Sequence, residues 1–313
     1  MKVSQLVLMR TVFLGTPRFA VPTLESLVGA GHEVVCVVTQ PDRPSGRGQQ
    51  LAASPVKEAA LRLGLAVYQP ERVRRPEAVA ALAELKPDVM VVVGYGQIIP
   101  QSVIDIPPHG IINVHGSLLP KYRGAGPIQW AIASGETRTG ITTMRIDAGL
   151  DTGDMLLKAE AEIGPEETAL ELGARLATMG AELLVETLAR IDAIVPEKQD
   201  PAAATYAPLL KKEDGLIDWG LAARTIHNRI RGFQPWPGGY THFRGQQLHI
   251  WRSRVVAGVP GAPGRLAMHP LRVACGEGAL ELIEVQMEGR KRISAEAFAN
   301  GQRIADGDIL GES

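Results

Sequence analysis

Two short segments of the sequence, residues 111–120 and 147–153, contain the side chains best suited to chemistry. The first is an apolar run that carries Asn113 and His115 before it reaches a Gly-Ser-Leu-Leu-Pro turn. Side chains alternate along a strand, so an amide and an imidazole at positions i and i+2 point to the same side. The second segment offers Asp151 in a glycine-flanked loop, and such a carboxylate can orient a histidine. We therefore predict that Asn113, His115 and Asp151 form one cluster.

This combination of side chains suits acyl transfer to an amine. When an amine attacks a formyl carbon, the carbonyl oxygen becomes an oxyanion and the nitrogen must lose a proton, so the site needs a hydrogen-bond donor and a proton acceptor. Asn113 and His115 supply the donors, and His115 with Asp151 manages the proton. An Asn-x-His pair at a strand end is, by itself, more often a satisfied polar edge. Residues 116–124 favour the catalytic interpretation, because their glycine-containing turns expose backbone N–H groups to a flat ligand.

The same residues carry a resemblance to a known family. Residues 113–120, together with residues 147–151, resemble the core signature of the 10-formyltetrahydrofolate-dependent formyltransferases. The resemblance implies that Asn113, His115 and Asp151 are catalytic and that 10-formyltetrahydrofolate is the co-substrate. It also implies a set of folate-binding residues. Those that follow the strand at 110–115 or lie in the second segment are Ser117, Leu118, Leu119, Pro120 and Asp147, and those that border the pterin pocket are Gly94, Tyr95 and Gly96.

Two other regions indicate which acceptor substrate, among those used in this family, the protein takes. The Gly- and Pro-rich loop at residues 39–48 resembles the insertion loop of methionyl-tRNA formyltransferases, which reaches into the acceptor stem. Segments between residues 209 and 292 resemble the tRNA-contacting domain of those enzymes. The resemblance covers nearly the whole chain after residues 1–9, which precede the family's usual first strand. It implies initiator methionyl-tRNA as partner and N-formylmethionyl-tRNA, used in translation initiation, as product. The expected tRNA contacts are Arg43, Arg47, Lys211 and Lys212.

Two alternatives to this function stay open at the level of sequence. One is a formyltransferase for a small amine, such as a sugar nucleotide or glycinamide ribonucleotide. Such enzymes share the core signature, but a small acceptor needs neither the Arg47 loop nor a separate C-terminal domain. The other is a non-catalytic RNA-binding protein that retained a folate-binding fold. The presence of Asn113, His115 and Asp151 argues against it.

Other reaction types lack their motifs in this sequence. The turn after the first apolar run, at residues 15–17, has one glycine and not the G-x-G-x-x-G spacing of a dinucleotide site. The histidines show neither the i, i+4 spacing with a glutamate nor a Cys-x-x-Cys partner, so we expect no metal. Ser117 is outside a G-x-S-x-G elbow, which favours direct transfer over an acyl-enzyme.

Apolar runs and helical patterns alternate in the first half of the chain. The strand-like runs are residues 11–14, 33–38, 88–93 and 110–115. The helical patterns are residues 19–30, 55–63, 76–85 and, as a long closing helix, 168–192. This alternation predicts an α/β fold with a Rossmann-like parallel sheet. A ligand would bind beyond the carboxyl ends of its strands, where Gly94 and residues 113–120 lie.

The second half of the chain has a different pattern of apolar and polar residues. Residues 196–208 lack both periodicities and predict a linker between a catalytic domain at residues 1–195 and a C-terminal domain at residues 209–313. After a short helix at 221–231, alternating segments separated by glycines, at residues 239–243, 247–256, 271–274 and 279–286, predict a small antiparallel barrel. The family resemblance implies an oligonucleotide-binding (OB-like) barrel with a role in tRNA binding.

Composition agrees with this organisation. A chain of 313 residues exceeds the size at which one core stops growing, so two domains are expected. Cys36 and Cys275 are too few for a disulfide framework, and no apolar run has transmembrane length, so we expect a cytoplasmic protein with no membrane contact. We also expect a monomer. Residues 1–205 hold 19 Lys and Arg against 23 Asp and Glu, and residues 206–313 hold 14 against 11. This mild basicity of the second half permits RNA binding but does not establish it.

Overall fold

The computed structural model describes residues 8–45 and 50–311 of the chain. These residues form two compact units. Unit 1 lies within Met1–Ala125, Gly140–Ala161 and Gly173–Ala207, and unit 2 within Gly126–Thr139, Glu162–Leu172 and Pro208–Ser313. Within the described ranges, the structure contains no helix long and apolar enough to cross a membrane.

Unit 1 is built on a seven-stranded sheet of order β5-β2-β1-β6-β7-β8-β9. Five strands, β1, β2, β5, β6 and β7, run parallel, and β8 runs antiparallel to β7. A separate two-stranded antiparallel sheet is made by β3 and β4. The strands are β1 (Arg10–Gly15), β2 (Glu33–Val38), β3 (Arg43–Ser45), β4 (Gln50–Ala52), β5 (Val67–Tyr68), β6 (Val89–Val93), β7 (Ile111–His115), β8 (Arg138–Arg145) and β9 (Met155–Glu162). The expected parallel sheet is confirmed. Strand β5 and the antiparallel edge are additions that the apolar pattern does not predict.

Helices follow most of the parallel strands. In chain order the helices are α1 (Val21–Gly29), α2 (Pro55–Arg62), α3 (Pro76–Glu84), α4 (Gln101–Ile104), α5 (Pro127–Ala133), α6 (Ala169–Ala189), α7 (Ala223–Gly232) and α8 (Ala295–Gln302). The residues at the start of α2 explain why this helix begins at Pro55. The Ser54 hydroxyl accepts from the Lys57 N–H at 3.1 Å, and Pro55 occupies the first helical position, where its missing N–H costs nothing.

The core of unit 1 places the site at one edge of the sheet. All five residues of β6 and all five of β7 are buried. Val12, Leu14, Met90 and Val92 belong to one apolar cluster between sheet and helices. Because β1, β6 and β7 are adjacent and parallel, their carboxyl ends lie side by side, and His115 is the last residue of β7.

Unit 2 contains a six-stranded antiparallel sheet of order β10-β11-β14-β13-β12, with β15 paired to β14. Its strands are β10 (Gly239–Phe243), β11 (Gln246–Val256), β12 (Leu266–Ala267), β13 (Arg272–Ala274), β14 (Ala279–Met287) and β15 (Ile293–Ser294). One apolar cluster, which includes Trp219, Phe243 and Phe298, forms its core. The antiparallel architecture is confirmed. The strand pairings of the described residues form an open series, so barrel closure stays a prediction.

Unit 2 also includes Gly126–Thr139 and Glu162–Leu172, two segments that lie within the predicted catalytic domain at residues 1–195. In α5, the Trp130 ring meets Phe233 edge to face, with centroids 5.1 Å apart. Between β9 and α6, the carbonyls of Gly164 and Glu167 accept from Arg231 Nη1 at 3.1 and 2.9 Å. These long-range contacts, which local periodicity cannot reveal, join both segments to α7.

Candidate active site

The carboxyl end of β7 presents Asn113 and His115 to one carboxylate. Asn113 Nδ2 donates to Asp151 Oδ1 at 3.4 Å, and His115 Nδ1 lies 3.7 Å from Asp151 Oδ2. The second separation is longer than a hydrogen bond, and such contacts often tighten only when substrate is bound. The side chains of His115 and Asp151 are 6% and 17% exposed. The structure therefore brings the three predicted residues together in a site that is largely screened from water.

Residues 122–124 hold both members of the His115–Asp151 pair. The Tyr122 carbonyl accepts from His115 Nε2 at 2.9 Å, so this nitrogen carries a proton. The Gly124 N–H donates to Asp151 Oδ2 at 2.8 Å. Gly124 has a φ of +112°, and a Cβ there would lie 2.7 Å from the Ala207 carbonyl oxygen. Glycine is therefore required where the backbone donates to the carboxylate.

The loop between β8 and β9 delivers Asp151. This residue has a φ of 51°, in the left-handed region that aspartate tolerates better than most residues. Asp147 Oδ1 accepts from the Gly149 N–H at 3.0 Å and from Thr152 Oγ1 at 2.7 Å. Asp147 thus stabilises the turn that leads to Asp151, and its predicted contact with folate stays a prediction.

The segment that follows β7 contains buried and partly exposed side chains. Ser117 is fully buried, and its hydroxyl donates to the backbone carbonyl four residues later at 2.6 Å. Leu119 is 2% exposed, whereas Leu118 and Pro120 are partly exposed. Thr142 Oγ1 donates to the Ser117 carbonyl at 2.7 Å and accepts from the Leu119 N–H at 3.1 Å. Strand β8 therefore fixes the backbone of this segment, and only Leu118 and Pro120 offer partly exposed side chains.

The residues predicted for the pterin pocket follow β6. Gly94 and Gly96 are exposed, with φ of +58° and +85°, and Tyr95 between them is 2% exposed. The Tyr95 hydroxyl has no hydrogen-bond partner among the described residues, and burial raises the pKa of this phenol. The Tyr95 carbonyl accepts from Thr16 Oγ1 at 2.9 Å. A ligand at this turn would therefore meet backbone and not the tyrosine ring.

The residues predicted to contact tRNA are dispersed along the chain. Arg43 is exposed at the start of β3, in unit 1. It lines an open cavity of about 300 Å³, whose other polar and charged lining residues include Gln40, Arg72, Arg74 and Gln97. Arg47 lies outside the described residues. Lys211 and Lys212 are exposed in unit 2.

Sequence reasoning missed two buried polar residues beside the site, Arg123 and Gln199. They are 5% and 9% exposed, and Arg123 Nη2 donates to Gln199 Oε1 at 2.8 Å. Gln199 lies in the predicted linker, 48 residues after Asp151, and no motif marks it. The one available signal is Arg123 itself, an arginine directly before the glycine of the predicted turn.

Comparison with known proteins gives a consistent assignment. Residues 9–188 match the model of the formyl transferase family, and residues 209–303 match its C-terminal domain. The chain is 71% identical to a methionyl-tRNA formyltransferase of Solibacter usitatus, with 97% of this chain and 99% of the relative covered. It is 58% identical to a methionyl-tRNA formyltransferase of Koribacter versatilis, with 96% and 98% covered.

Solved structures with low sequence identity share the fold. An N-formyltransferase from Helicobacter canadensis, in complex with folinic acid and dTDP-3-aminofucose, superposes with a TM-score of 0.66 at 18% identity over 91% of this chain and 100% of its own. HypX from Aquifex aeolicus, in complex with tetrahydrofolic acid, gives a TM-score of 0.64 at 16% identity over 97% of this chain and 51% of its own. The high identities and the family matches decide the assignment. The chain belongs to the formyl transferase family and, within it, to the methionyl-tRNA formyltransferases.

Proposed function

We propose that this protein transfers the formyl group of 10-formyltetrahydrofolate to the α-amino group of methionine on initiator tRNA. The observation that carries the proposal is the shared carboxylate of Asn113 and His115, found in a chain that is 71% identical to a methionyl-tRNA formyltransferase. The product is N-formylmethionyl-tRNA, which serves translation initiation.

The site residues have separate tasks in this reaction. Asn113 Nδ2 donates a hydrogen bond to the oxygen that becomes negative when the amine attacks the formyl carbon. His115 Nε2, which donates to the Tyr122 carbonyl in the free protein, would turn its N–H to the same oxygen or relay the proton of the amine to the leaving tetrahydrofolate nitrogen. Asp151 orients the imidazole, and the Gly124 N–H orients Asp151. The low exposure of His115 supports this assignment, because hydrogen bonds to a developing charge are stronger where water is excluded.

The donor would occupy the carboxyl edge of the sheet in unit 1. Gly94 and Gly96 leave backbone exposed beside Tyr95, which suits a flat heterocycle. Leu118 and Pro120 would cover the ligand with their partly exposed side chains. Ser117 and Asp147 would act through the backbone that their side chains hold, and Leu119 through its own backbone, which Thr142 holds. We also propose that the protein is a cytoplasmic monomer and that it binds no metal.

The tRNA would be recognised mainly through its phosphates. Arg43, Arg47, Lys211 and Lys212 are the cations proposed for this contact, and a guanidinium can hold two phosphate oxygens at once. Binding of this kind weakens as salt rises, because counterions compete for the phosphates. Formylation at limiting tRNA should therefore fall steeply with ionic strength.

A panel of acceptors tests this function. The protein and 10-formyltetrahydrofolate are incubated with methionyl initiator tRNA, uncharged initiator tRNA, glycinamide ribonucleotide or an amino-sugar nucleotide. Formyl transfer to the charged tRNA alone is the expected result. Transfer to a small amine at a comparable kcat/KM would establish the alternative acceptor, and transfer to none, with RNA still bound, would establish a non-catalytic RNA-binding protein.

A further inference from the structure

Gln199 has an environment that is unusual within the predicted linker. Most residues between 196 and 208 are exposed, but Gln199 is 9% exposed. Its Nε2 donates to the Asp151 carbonyl and to the Gly153 carbonyl, each at 2.8 Å. Both amide hydrogens are thus used to hold the main chain of the loop that carries Asp151.

Arg123 fixes the orientation of this amide. Its Nε and Nη2 both donate to Gln199 Oε1, at 3.0 and 2.8 Å. An arginine can only donate, so the amide oxygen must face Arg123 and the amide nitrogen must face the loop. A buried side chain with two donors and two acceptor sites filled has a single low-energy orientation.

Backbone hydrogen bonds also tie the residues around Gln199 to other parts of unit 1. Glu197 exchanges two hydrogen bonds with Met155, both at 2.8 Å, at the start of β9. Farther along, the Arg123 N–H donates to the Thr205 carbonyl at 2.8 Å, and the Ala207 N–H donates to the Arg123 carbonyl at 2.7 Å. The segment therefore touches the site on two sides, although its composition is that of a linker.

We propose that Gln199 is a positioning residue, which holds the Asp151 loop so that the Asp151 carboxylate faces His115. Its action rests on the proposed function and passes through Asp151, because its two donated bonds end on the backbone of Asp151 and Gly153. The same stretch of chain, residues 122–124, holds His115 through a carbonyl, Asp151 through an N–H and Gln199 through the Arg123 guanidinium. Gln199 and residues 122–124 thus hold the His115–Asp151 pair together.

The variant Gln199→Glu tests this role with little change in shape. A carboxylate keeps the contact with Arg123, but it cannot donate to the two carbonyls and repels them. We expect kcat for formylation to fall by about tenfold to a hundredfold, the range expected when a catalytic group shifts by about 1 Å. The KM values for folate and methionyl-tRNA should stay unchanged. Lys198→Ala, a change at the exposed neighbour, is the matched control and should retain wild-type kcat.

A double-mutant cycle separates positioning from a general structural effect. If Gln199 acts through Asp151, Gln199→Glu should cost nothing further in an Asp151→Asn background, measured in single turnover. An equal loss in both backgrounds, or wild-type kcat in Gln199→Glu, would overturn the proposal. Gln199→Met, which removes the donors without adding charge, gives the same test if the glutamate variant fails to fold.

A spectroscopic measurement tests the positioning role of Gln199 independently of the acceptor that the enzyme uses. The ¹⁵N chemical shifts of the His115 imidazole report on the contact with Asp151 and need no substrate. They should change in Gln199→Glu and stay constant in Lys198→Ala. If they change but methionyl-tRNA is no substrate, the proposed function fails and the positioning role stands. Unchanged shifts in Gln199→Glu would refute the positioning role.

Discussion

The substitution Gly124→Ala probes the contact that holds Asp151 in place. Gly124 has a φ of +112°, and the new Cβ would lie 2.7 Å from the backbone oxygen of Ala207. An L-residue in such a sparsely populated region costs roughly 1–3 kcal/mol. The clash cannot be relieved by a side-chain rotation, since the Ala207 oxygen belongs to the main chain. The backbone must therefore move, and the Gly124 N–H moves with it.

This movement has a calculable effect on stability and on rate. A hydrogen bond to a charged group contributes about 1.5–3 kcal/mol, and its loss adds to the backbone strain. We expect a total of about 2.5–6 kcal/mol, which for a protein of this size corresponds to a fall in Tm of roughly 2–4 °C per kcal/mol. A displacement of Asp151 by about 1 Å lowers kcat by up to about a hundredfold.

Another glycine with a positive φ provides the control. Gly64 has a φ of +70°, but a Cβ there would have nothing within 4 Å. Gly64→Ala should therefore cost only the left-handed backbone term of about 1–2 kcal/mol and leave kcat unchanged. Melting curves and single-turnover formylation rates of both variants decide the matter. If Gly124→Ala matched Gly64→Ala in Tm and in kcat, the contact between Gly124 and Asp151 would have no role.

Three further outcomes are expected. His115→Ala should lower the single-turnover rate by about a hundredfold or more, with folate affinity retained in equilibrium titrations, because a positioned donor and proton relay is lost. Arg47→Ala should lower kcat/KM for methionyl-tRNA and flatten its salt dependence, since the proposed phosphate contact is removed. Burial in unit 2 lowers the pKa of His227 despite the nearby Glu166, so the unfolded state binds a proton more readily. Stability should thus fall as pH drops below about 6.5, and His227→Gln should reduce this loss in pH-dependent melts.

Each of these outcomes can fail in a recognisable way. A folded His115→Ala protein with a near-native rate would remove His115 from the chemistry. Unchanged tRNA kinetics and an unchanged salt slope in Arg47→Ala would leave that loop without a role in RNA binding. For His227, the half-buried His242 supplies the control variant, His242→Gln. An equal pH effect in both histidine variants would show that burial of His227 is not its source.

Four of the five parallel strands, β1, β2, β6 and β7, could be predicted from sequence because they are apolar runs, whereas the two-residue strand β5 was not predicted. Strand β2 has the predicted bounds, Glu33–Val38, since a strand covered on both faces requires uninterrupted apolar residues. Strand β8 breaks this rule. Thr142 and Thr143 are fully buried there, and their hydroxyls are satisfied by backbone and side-chain partners. The sequence records the threonines but not the hydrogen bonds that make their burial possible.

The cluster of Asn113, His115 and Asp151 was within reach of sequence reasoning for a similar local reason. The two-residue spacing in β7 places the amide and the imidazole on one side, and glycines mark the loop that returns to them. Gln199 was out of reach, because its partners are separated from it by 46, 48 and 76 residues. Its neighbours in sequence, a run rich in proline and alanine, indicate only a linker.

The formyl transfer and the role of Asp151 in it can be tested together by comparing wild-type protein and Asp151→Asn in one single-turnover experiment. Methionyl initiator tRNA and 10-formyltetrahydrofolate are the substrates, and the amino acid released from the tRNA is identified by mass spectrometry. We expect N-formylmethionine from the wild type and a rate lower by about a hundredfold or more in the variant. Unmodified methionine from the wild type, or equal rates in the two proteins, would contradict this expectation.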